Sequence, residues 1–371
     1  MSFTLDEKAS YLYDFFMFPK LLYVDPDEIY KLNDILGDEI MNTFIDHQSH
    51  IDFVKAAKKD LEPHKDPLLG FYSDEGIGNY DFPMLLFRSY SFLGHKHYED
   101  YLRTMLLDDE NTIKQNLIYA ILTVEGDHDD AADTEARAEA KRLLHQRDAL
   151  QKLIRATPTT EKYRWNLMLL IDYPKDYLNV YLTLLKTIEP IFNDYHTAHQ
   201  AKLDAFKKDT VSPLEAKGAE AFDELTHGIV PSDVLEQDNL LITSFVNPYR
   251  FSIMRFGEDR AIVWGLDMKH GFQKIAEFEQ NSRKNRAKVF KTLSDETRYE
   301  VLRLIAAGIT STKAIATEIG VSSATVTYHI NAFLTAKVIK AERSKSARYR
   351  IDYDRLESLW HDFMSDVKDP S

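Results

Sequence analysis

Apolar residues recur every three or four positions through most of the first 238 residues, which is the pattern of amphipathic helices. The clearest stretches are residues 11–18, 29–44, 84–93, 98–107 and 112–124. Residues 130–156 are mostly strong helix formers with no Gly or Pro among them, so they predict a further helix. This part of the chain is therefore predicted to be a helical domain.

Proline residues mark the expected interruptions in the next part of the chain. A long helix is predicted over residues 175–207, and Pro190 should kink or divide it because proline lacks the amide hydrogen. Ser212 and Pro213 have the character of an N-cap and first-turn pair, so another helix is expected to begin there.

The pattern changes near Asn239. Residues 240–246, 250–256 and 260–266 are short and rich in Ile, Val, Phe and Trp, and turn-forming residues separate them. We interpret them as a small antiparallel β-meander of three strands. The charged helical stretch 269–291 follows and is expected to join two domains.

From residue 294 onward, caps and glycines follow one another regularly. Ser294 is predicted to cap a helix that ends at Gly308, and a two-turn helix over residues 310–319 is closed by Gly320. After a short turn, Ser322 is predicted to cap a helix over residues 323–336. Two helices joined by a tight turn with a glycine form a helix-turn-helix unit.

In such a unit, the N-terminal residues of the second helix enter the major groove of DNA. The side chains at that position are small and mostly able to form hydrogen bonds, as close approach to a groove requires. The predicted DNA contacts are Ser322, Ser323, Thr325, Val326, Thr327 and His329, with Lys313 on the preceding helix. The open alternatives are capping for the hydroxyl residues and packing under the next element for His329.

Residues 338–342 and 348–352 bracket a short basic segment and predict a β-hairpin, or wing. Arg343, Lys345 and Arg348 are expected to reach the phosphate backbone, the alternative being a merely solvated hairpin. A last amphipathic helix is predicted over residues 353–367. Its apolar face, which includes Trp360, is a candidate dimer surface.

Residues 286–352 resemble the winged-helix domain of the ArsR-like repressors. The resemblance rests on LSDETR at residues 293–298, SSATVTYHI at 322–330 and AKVI at 336–339. Glu296 stands where the family usually has proline, and Lys337 stands where it has glycine. The resemblance covers about a quarter of the chain. It implies a homodimer that binds an imperfect inverted repeat in DNA and leaves it when an effector binds.

Charge is distributed unevenly along the chain. The whole protein has a formal charge of −14, yet residues 283–350 contain 14 Lys or Arg against 5 Asp or Glu. A basic segment attached to an acidic body is typical of a DNA-binding domain beside a regulatory domain. There are no cysteines, no apolar run long enough for a membrane span and no secretory signal pattern at the N-terminus, so a cytoplasmic protein is expected.

Other chemistry is less well indicated. His47 and His50, and likewise His196 and His199, are three residues apart, so each pair is a candidate metal-ligand pair; chance spacing is the alternative. The many Tyr and Phe residues could line an apolar ligand pocket, although a packed core explains most of them. We found no motif for a phosphate loop, a nucleophile elbow or a zinc protease, and expect no enzyme, cofactor or metal.

The prediction from sequence is thus a mainly α protein. Residues 1–280 would form a helical regulatory domain with a β-meander near 240–266, and residues 281–371 a winged helix-turn-helix domain with a terminal helix. The expected function is a homodimeric, DNA-binding transcriptional repressor controlled by an unknown effector ligand or protein. The alternative is an enzyme or small-molecule binding protein that uses the winged helix for dimerisation or protein contact.

Overall fold

A computed structural model describes residues 1–26, 47–72, 80–124, 130–280, 282–341 and 349–368. Helices dominate these residues, which confirms the mainly α prediction. The expected helix over residues 29–44 lies outside the described residues. The helices of the first layer are α1 (Glu7–Met17), α2 (Gln48–Leu61), α3 (Lys65–Leu68), α4 (Phe82–Ser89), α5 (Tyr98–Leu107), α6 (Glu110–Thr123), α7 (Asp130–Leu143), α8 (Arg147–Arg155), α9 (Glu161–Asp172) and α10 (Pro174–Ala198).

Aromatic side chains fill the core between these helices. Phe16 lies at its centre, and its ring contacts those of Phe87, Tyr101 and Tyr181. All four side chains are buried. Buried aromatic rings remove a large apolar area from water and favour edge-on or offset-stacked contacts. Most aromatic residues of this region therefore pack the core, as the sequence suggested.

Two predicted helices are shorter than expected. Residues 130–156 form two helices and not one: α7 ends at Leu143, and α8 begins at Arg147. Pro190 lies inside α10 without ending it. The break comes instead at His199, whose ring Nδ1 and backbone N–H both contact the carbonyl oxygen of Tyr195. Of the two effects predicted for Pro190, a kink or a division, the division is therefore wrong. The helix ends instead at a histidine that satisfies an end carbonyl.

A second set of short helices follows: α11 (Gln200–Phe206), α12 (Ser212–Lys217) and α13 (Ala219–Thr226). A single π-helical turn, Lys207–Val211, joins α11 to α12. Ser212 is consequently the first residue of α12 and not its N-cap, and its hydroxyl donates to the carbonyl of Lys207. The capping prediction for Ser212 is corrected accordingly, because the chain arrives already helical.

The sheet has four strands: β1 (Ser2–Leu5), β2 (Asp238–Ser244), β3 (Phe251–Phe256) and β4 (Asp259–Gly265). Their order is β1-β2-β4-β3. Strand β2 runs parallel to both β1 and β4, and only β3 and β4 form an antiparallel pair. The predicted antiparallel meander is therefore wrong: β4 lies between β2 and β3, and the N-terminal strand completes the sheet.

The sheet separates two hydrophobic cores. Ile242 and Val263 face the aromatic core of the first layer. Their neighbours Leu241 and Trp264 face a second core, together with Phe272 of helix α14 (Met268–Gln280). Successive residues of a strand point to opposite faces, so alternate positions of the same strands serve both cores.

Helix α1 is fastened to the end of β2 by two polar side chains one turn apart. The Ser10 hydroxyl accepts the N–H of Thr243 at 2.9 Å. The Asp14 carboxyl accepts the N–H of Phe245 at 2.8 Å and the hydroxyl of Ser244. These donors come where β2 leaves the sheet, so without α1 they would be buried and unsatisfied.

The buried carboxyl group of Asp14 makes a pH prediction possible. Burial raises the pKa of Asp14 from 3.8 to about 7. The folded state therefore favours the protonated carboxyl group. Its contribution to the free energy of unfolding is fully present below pH 3.8 and is lost as the pH rises through 7. We expect Asp14→Asn, which stays neutral, to become more stable relative to the wild type by on the order of 2 kcal/mol between about pH 5 and pH 8.

Urea unfolding at the two pH values measures this difference. Asp148→Asn is the matched control because Asp148 is exposed on α8. If the free energy of unfolding changes with pH equally in the wild type and in Asp14→Asn, the carboxyl group of Asp14 does not titrate as described.

The C-terminal part has its own core. Its elements are α15 (Ser282–Leu293), α16 (Glu296–Ala306), α17 (Thr312–Ile319), α18 (Ser323–Thr335), β5 (Ile339–Ala341), β6 (Tyr349–Ile351) and α19 (Tyr353–Lys368). The buried members of this core lie between Val289 and Leu359. The expected helix over 269–291 is described as two, α14 and α15. Ile275 of α14 belongs to the second core, so the change of core falls between Ile275 and Val289.

Candidate nucleic-acid interface

Helix α16 supports the helices that follow it. Val301 and Ile305 are buried against Ile315 of α17. The helix is capped by Asp295, whose carboxylate accepts the N–H of Arg298 at 2.8 Å. Ser294, predicted as the cap, instead donates its hydroxyl to the carbonyl of Lys291. The cap is thus one residue later than predicted, where the backbone is extended and a carboxylate lies at the positive end of the helix.

The turn between α17 and α18 has the form that the sequence predicts. Gly320 adopts a left-handed conformation with φ of 73°, which a residue with a side chain rarely adopts. The amide groups of Gly320 and Val321 both donate to the carbonyl of Ala316 and close the end of α17. Ser322 then caps α18 by accepting the N–H of Thr325 at 3.0 Å. The helix-turn-helix geometry is set by these local contacts.

Helix α18 has an inner and an outer side. Ile330 and Phe333 are buried in the C-terminal core, and so is Val326, with none of its surface exposed. Val326 was predicted to contact DNA, and the structure corrects this because its side chain lies inside the domain. Ile330, Phe333 and Val326 thus form the inner side of the helix.

The hydroxyl residues lie at the accessible end of α18. Ser322 is exposed, whereas Ser323, Thr325 and Thr327 are partly exposed. The hydroxyls of Ser322 and Thr325 are 2.7 Å apart, and that of Thr327 donates to the carbonyl of Ser323. A hydroxyl can donate one hydrogen bond and accept two, so these groups keep capacity for a further partner. Together with the first amide groups of the helix they form a surface suited to phosphates or base edges.

His329 is held inside the domain by an arginine that the sequence analysis did not select. Only 7% of His329 is exposed, and Arg298 Nε donates to His329 Nδ1 at 3.3 Å. Burial and the positive charge of Arg298 lower the pKa of His329. The ring is therefore neutral and structural, and its predicted contact with DNA is corrected to internal packing.

Tyr328 is the most exposed side chain of α18 that sequence reasoning missed, with 40% of its surface accessible. Its hydroxyl accepts a hydrogen bond from Arg298 Nη2 at 3.2 Å, and the guanidinium lies 5.4 Å from the ring centre. Arg298 thus links α16 to two consecutive residues of α18. The two positions are 30 residues apart, so no local periodicity could have revealed the contact.

The two wing strands pair antiparallel, with Ile339 opposite Ile351. Lys340 forms an ion pair with Asp352 at 2.7 Å, and Arg350 is exposed beside it. Arg343, Lys345 and Arg348 lie outside the described residues, so their contacts with phosphates stay a prediction. Lys313 is exposed near the start of α17, on the helix before the turn.

The terminal helix packs on the domain through Leu359, which is buried. Trp360 is 57% exposed, and its ring contacts that of Phe363, which also meets Phe290 of α15. Arg286 and Asp362 form a further link between α15 and α19. Trp360 of the predicted apolar face is therefore exposed, whereas Leu359 of the same face is buried in the domain.

A family model for a helix-turn-helix domain matches residues 293–340, which include α16, α17 and α18. No curated protein and no solved structure matches the chain. Within the ranges that the structure describes, no helix is long and apolar enough to cross a membrane. The C-terminal part of the chain therefore carries a helix-turn-helix domain, the kind of module with which regulators bind DNA.

Proposed function

We propose that the protein is a sequence-specific DNA-binding transcriptional regulator of the ArsR-like type, a binding protein rather than an enzyme. It acts in the cytoplasm as a homodimeric repressor, and a ligand or partner at the N-terminal part controls it. The observation that carries the proposal is the start of α18. Its capped first turn presents the hydroxyls of Ser322, Ser323 and Thr325 on a helix that a glycine turn fixes against α17.

Charge supports DNA as the partner. Residues 283–350 have a formal net charge of +9, from 14 basic and 5 acidic residues. The first 282 residues contain 30 basic and 49 acidic residues and would repel a polyanion. The basic segment includes the helix-turn-helix match, so DNA would approach the protein from this end.

A two-fold dimer would contact two half-sites and so recognise a longer DNA sequence than one copy of α18. Two copies of α18 would enter successive major grooves about 34 Å apart. The exposed Trp360 and the partly exposed Phe363 on α19 supply an apolar surface for the second copy. A shift in the spacing of the two helices on effector binding would release the operator.

The test is fluorescence anisotropy of the full-length protein on the duplex upstream of its own gene and on a scrambled duplex. We expect tighter binding to the first, with affinity that falls steeply as salt rises because bound phosphates release counterions. Lys313→Ala should weaken binding to both duplexes and reduce the salt slope by about one.

The matched control is Lys141→Ala, which removes one exposed positive charge from α7. It should leave the affinity and the salt slope unchanged. A wild-type protein that binds neither duplex at low salt would contradict the proposal and favour a role of this domain in protein contact.

A further inference from the structure

DNA binding leaves two features of the N-terminal part unexplained: its histidine pairs and an exposed apolar stripe on α9. The pairs are His47 with His50 and His196 with His199, which the sequence suggested as metal ligands. Among the residues that the structure describes, no group of three or more His, Cys, Asp or Glu side chains is placed to hold a metal. The stripe, by contrast, is exposed and indicates a partner.

Helix α9 is apolar on two sides. On its inner side, Tyr163 and Leu167 are buried in the aromatic core. On the other side, Trp165 is 66% exposed and Tyr173, directly after the helix, is 56% exposed, with the partly exposed Leu169 between them. These three residues are four positions apart, so they follow one side of the helix and form the apolar stripe. A helix that is apolar on both sides is normally covered on both, so the stripe is a surface for a further partner.

One end of the stripe is basic. Helices α8 and α9 are antiparallel, because Arg147 at the start of α8 forms an ion pair with Asp172 at the end of α9. The end of α8 and the start of α9 therefore lie together, and they carry the exposed side chains of Arg155 and Lys162. Within the part of the chain that the structure describes, neither of these two cations forms an ion pair. Lys162 is three residues before Trp165, on the side of α9 that carries the stripe.

The other end of the stripe is acidic. Lys175, two residues after Tyr173, donates to the carbonyl of Leu106 at 3.1 Å, which brings the end of α5 to this point. The last residue of α5, Leu107, is 86% exposed. Residues 108–110 follow it and are all acidic. Glu110, in the first turn of α6, is exposed as well.

These two ends make the surface complementary to itself. Residues 152–164 contain four Lys or Arg and one Glu, whereas residues 107–114 contain three Asp or Glu and one Lys. That lysine, Lys114, lies 3.5 Å from Glu110 and balances only one of the three acidic charges. A two-fold rotation about the middle of the stripe would place the basic end of each copy on the acidic end of the other. Opposite charges would then meet twice, on either side of paired apolar stripes.

We propose that the apolar stripe of α9, with its two charged ends, is a two-fold interface between two copies of this chain. Trp165 and Tyr173 of each copy pack against the stripe of the other. Lys162 and Arg155 of each copy face Glu110 of the other. Aromatic residues at the centre and charged residues at the rim are the usual composition of such an interface. The stripe is distinct from the Trp360 surface on α19, and its pairing does not depend on DNA.

Sedimentation equilibrium of the full-length protein without DNA tests the pairing. The wild type should form dimers or larger even-numbered assemblies. Trp165→Ser should weaken this association by at least about 30-fold, as the loss of a central aromatic anchor does, while circular dichroism stays unchanged because most of the side chain is exposed. A wild type that is monomeric at about 100 μM would overturn the inference, since something other than a second copy would then cover the stripe.

The same substitution on the terminal helix separates this interface from the one in the proposed function. Association that is lost in Trp360→Ser and unchanged in Trp165→Ser would overturn the inference and leave the Trp360 surface as the dimer contact. A loss in Trp165→Ser supports the inference whether or not the protein binds any DNA.

A charge exchange tests the orientation of the two copies. Lys162→Glu and Glu110→Lys should each weaken association by about tenfold, because like charges would meet at both ends of the stripe. The variant with both changes should return to within about threefold of the wild type, since opposite charges would face each other again. A carboxylate in the first turn of α9 is favourable for the helix, so Lys162→Glu should fold normally.

The matched control is Lys208→Glu, which reverses an exposed charge on the π turn and should associate like the wild type. Wild-type association in both single variants, or a double variant weaker than either, would overturn the proposed arrangement.

Discussion

Thr325→Asp is expected to weaken binding to specific DNA by at least about 100-fold, because a carboxylate would face the phosphates or base edges at the start of α18. Thr325 is the third residue of this helix, and its hydroxyl lies beside that of Ser322. A negative charge in the first turn is favourable for the helix itself. The variant should therefore fold normally and lose only its affinity for DNA.

Anisotropy and thermal unfolding measure the two parts of this prediction. Thr325→Ser keeps the hydroxyl and should retain most of the affinity. Thr183→Asp adds the same charge at an exposed position of α10 and should bind DNA like the wild type. Wild-type affinity in Thr325→Asp would mean that the start of α18 does not meet DNA.

Gly265→Ala is expected to destabilise the fold by about 3 kcal/mol, the upper range for forcing atoms into a packed interior. A Cβ atom at Gly265 would lie 2.3 Å from the carbonyl oxygen of Pro248 and 2.4 Å from that of Asn247. Both contacts are with backbone, which cannot rotate away as a side chain could. The N–H of Gly265 also donates to the carbonyl of Arg250 at 2.7 Å, which holds the strand end against this turn.

Urea unfolding gives the size of the effect. Gly70→Ala is the matched control because a Cβ atom there would meet only the carbonyl oxygen of Pro67, at an ordinary 3.6 Å. It should change the free energy of unfolding by less than about 1 kcal/mol. Equal stability of the two variants would show that the turn after β2 adapts freely to β4.

The helix-turn-helix domain could be predicted because its signals are local. Ser322 caps α18 by accepting the N–H of the residue three positions later, and Gly320 ends α17 because it adopts a left-handed backbone conformation without strain. The boundary at Asp295 differed by one residue because Ser294 and Asp295 are both good caps, and only the backbone conformation decides between them.

The sheet could not be predicted in the same way. Strand β2 pairs in parallel with β4 on one side and with β1 on the other, and β1 is more than 230 residues away from β2 in the sequence. Asp14, which accepts the N–H of Phe245 at the end of β2, is equally distant in the sequence. A strand of four residues such as β1 is too short to produce a clear alternating pattern. Three consecutive strands with short connections predict an antiparallel meander. This prediction was wrong because contacts with distant parts of the chain are not visible in the local pattern.

For the candidate sites, too, local features could be predicted from the sequence, and contacts between distant elements could not. The spacing of His196 and His199 is visible in the sequence, but the meeting of His199 with His50 and Phe245 arises only from the packing of α10 on α2. Val326 and His329 were predicted to contact DNA because they lie in the first half of α18. Only the packed domain shows that both side chains turn inward.

The most direct measurement for the central claim is selection of bound duplexes from a random DNA library by the full-length protein. The proposed function predicts enrichment of an imperfect inverted repeat whose half-site centres are about 10–11 base pairs, one helical turn, or a multiple of that, apart. Thr325→Asp should fail to enrich it. Recovery of duplexes without any common sequence, or of none at low salt, would contradict the claim that this protein is a sequence-specific DNA-binding regulator.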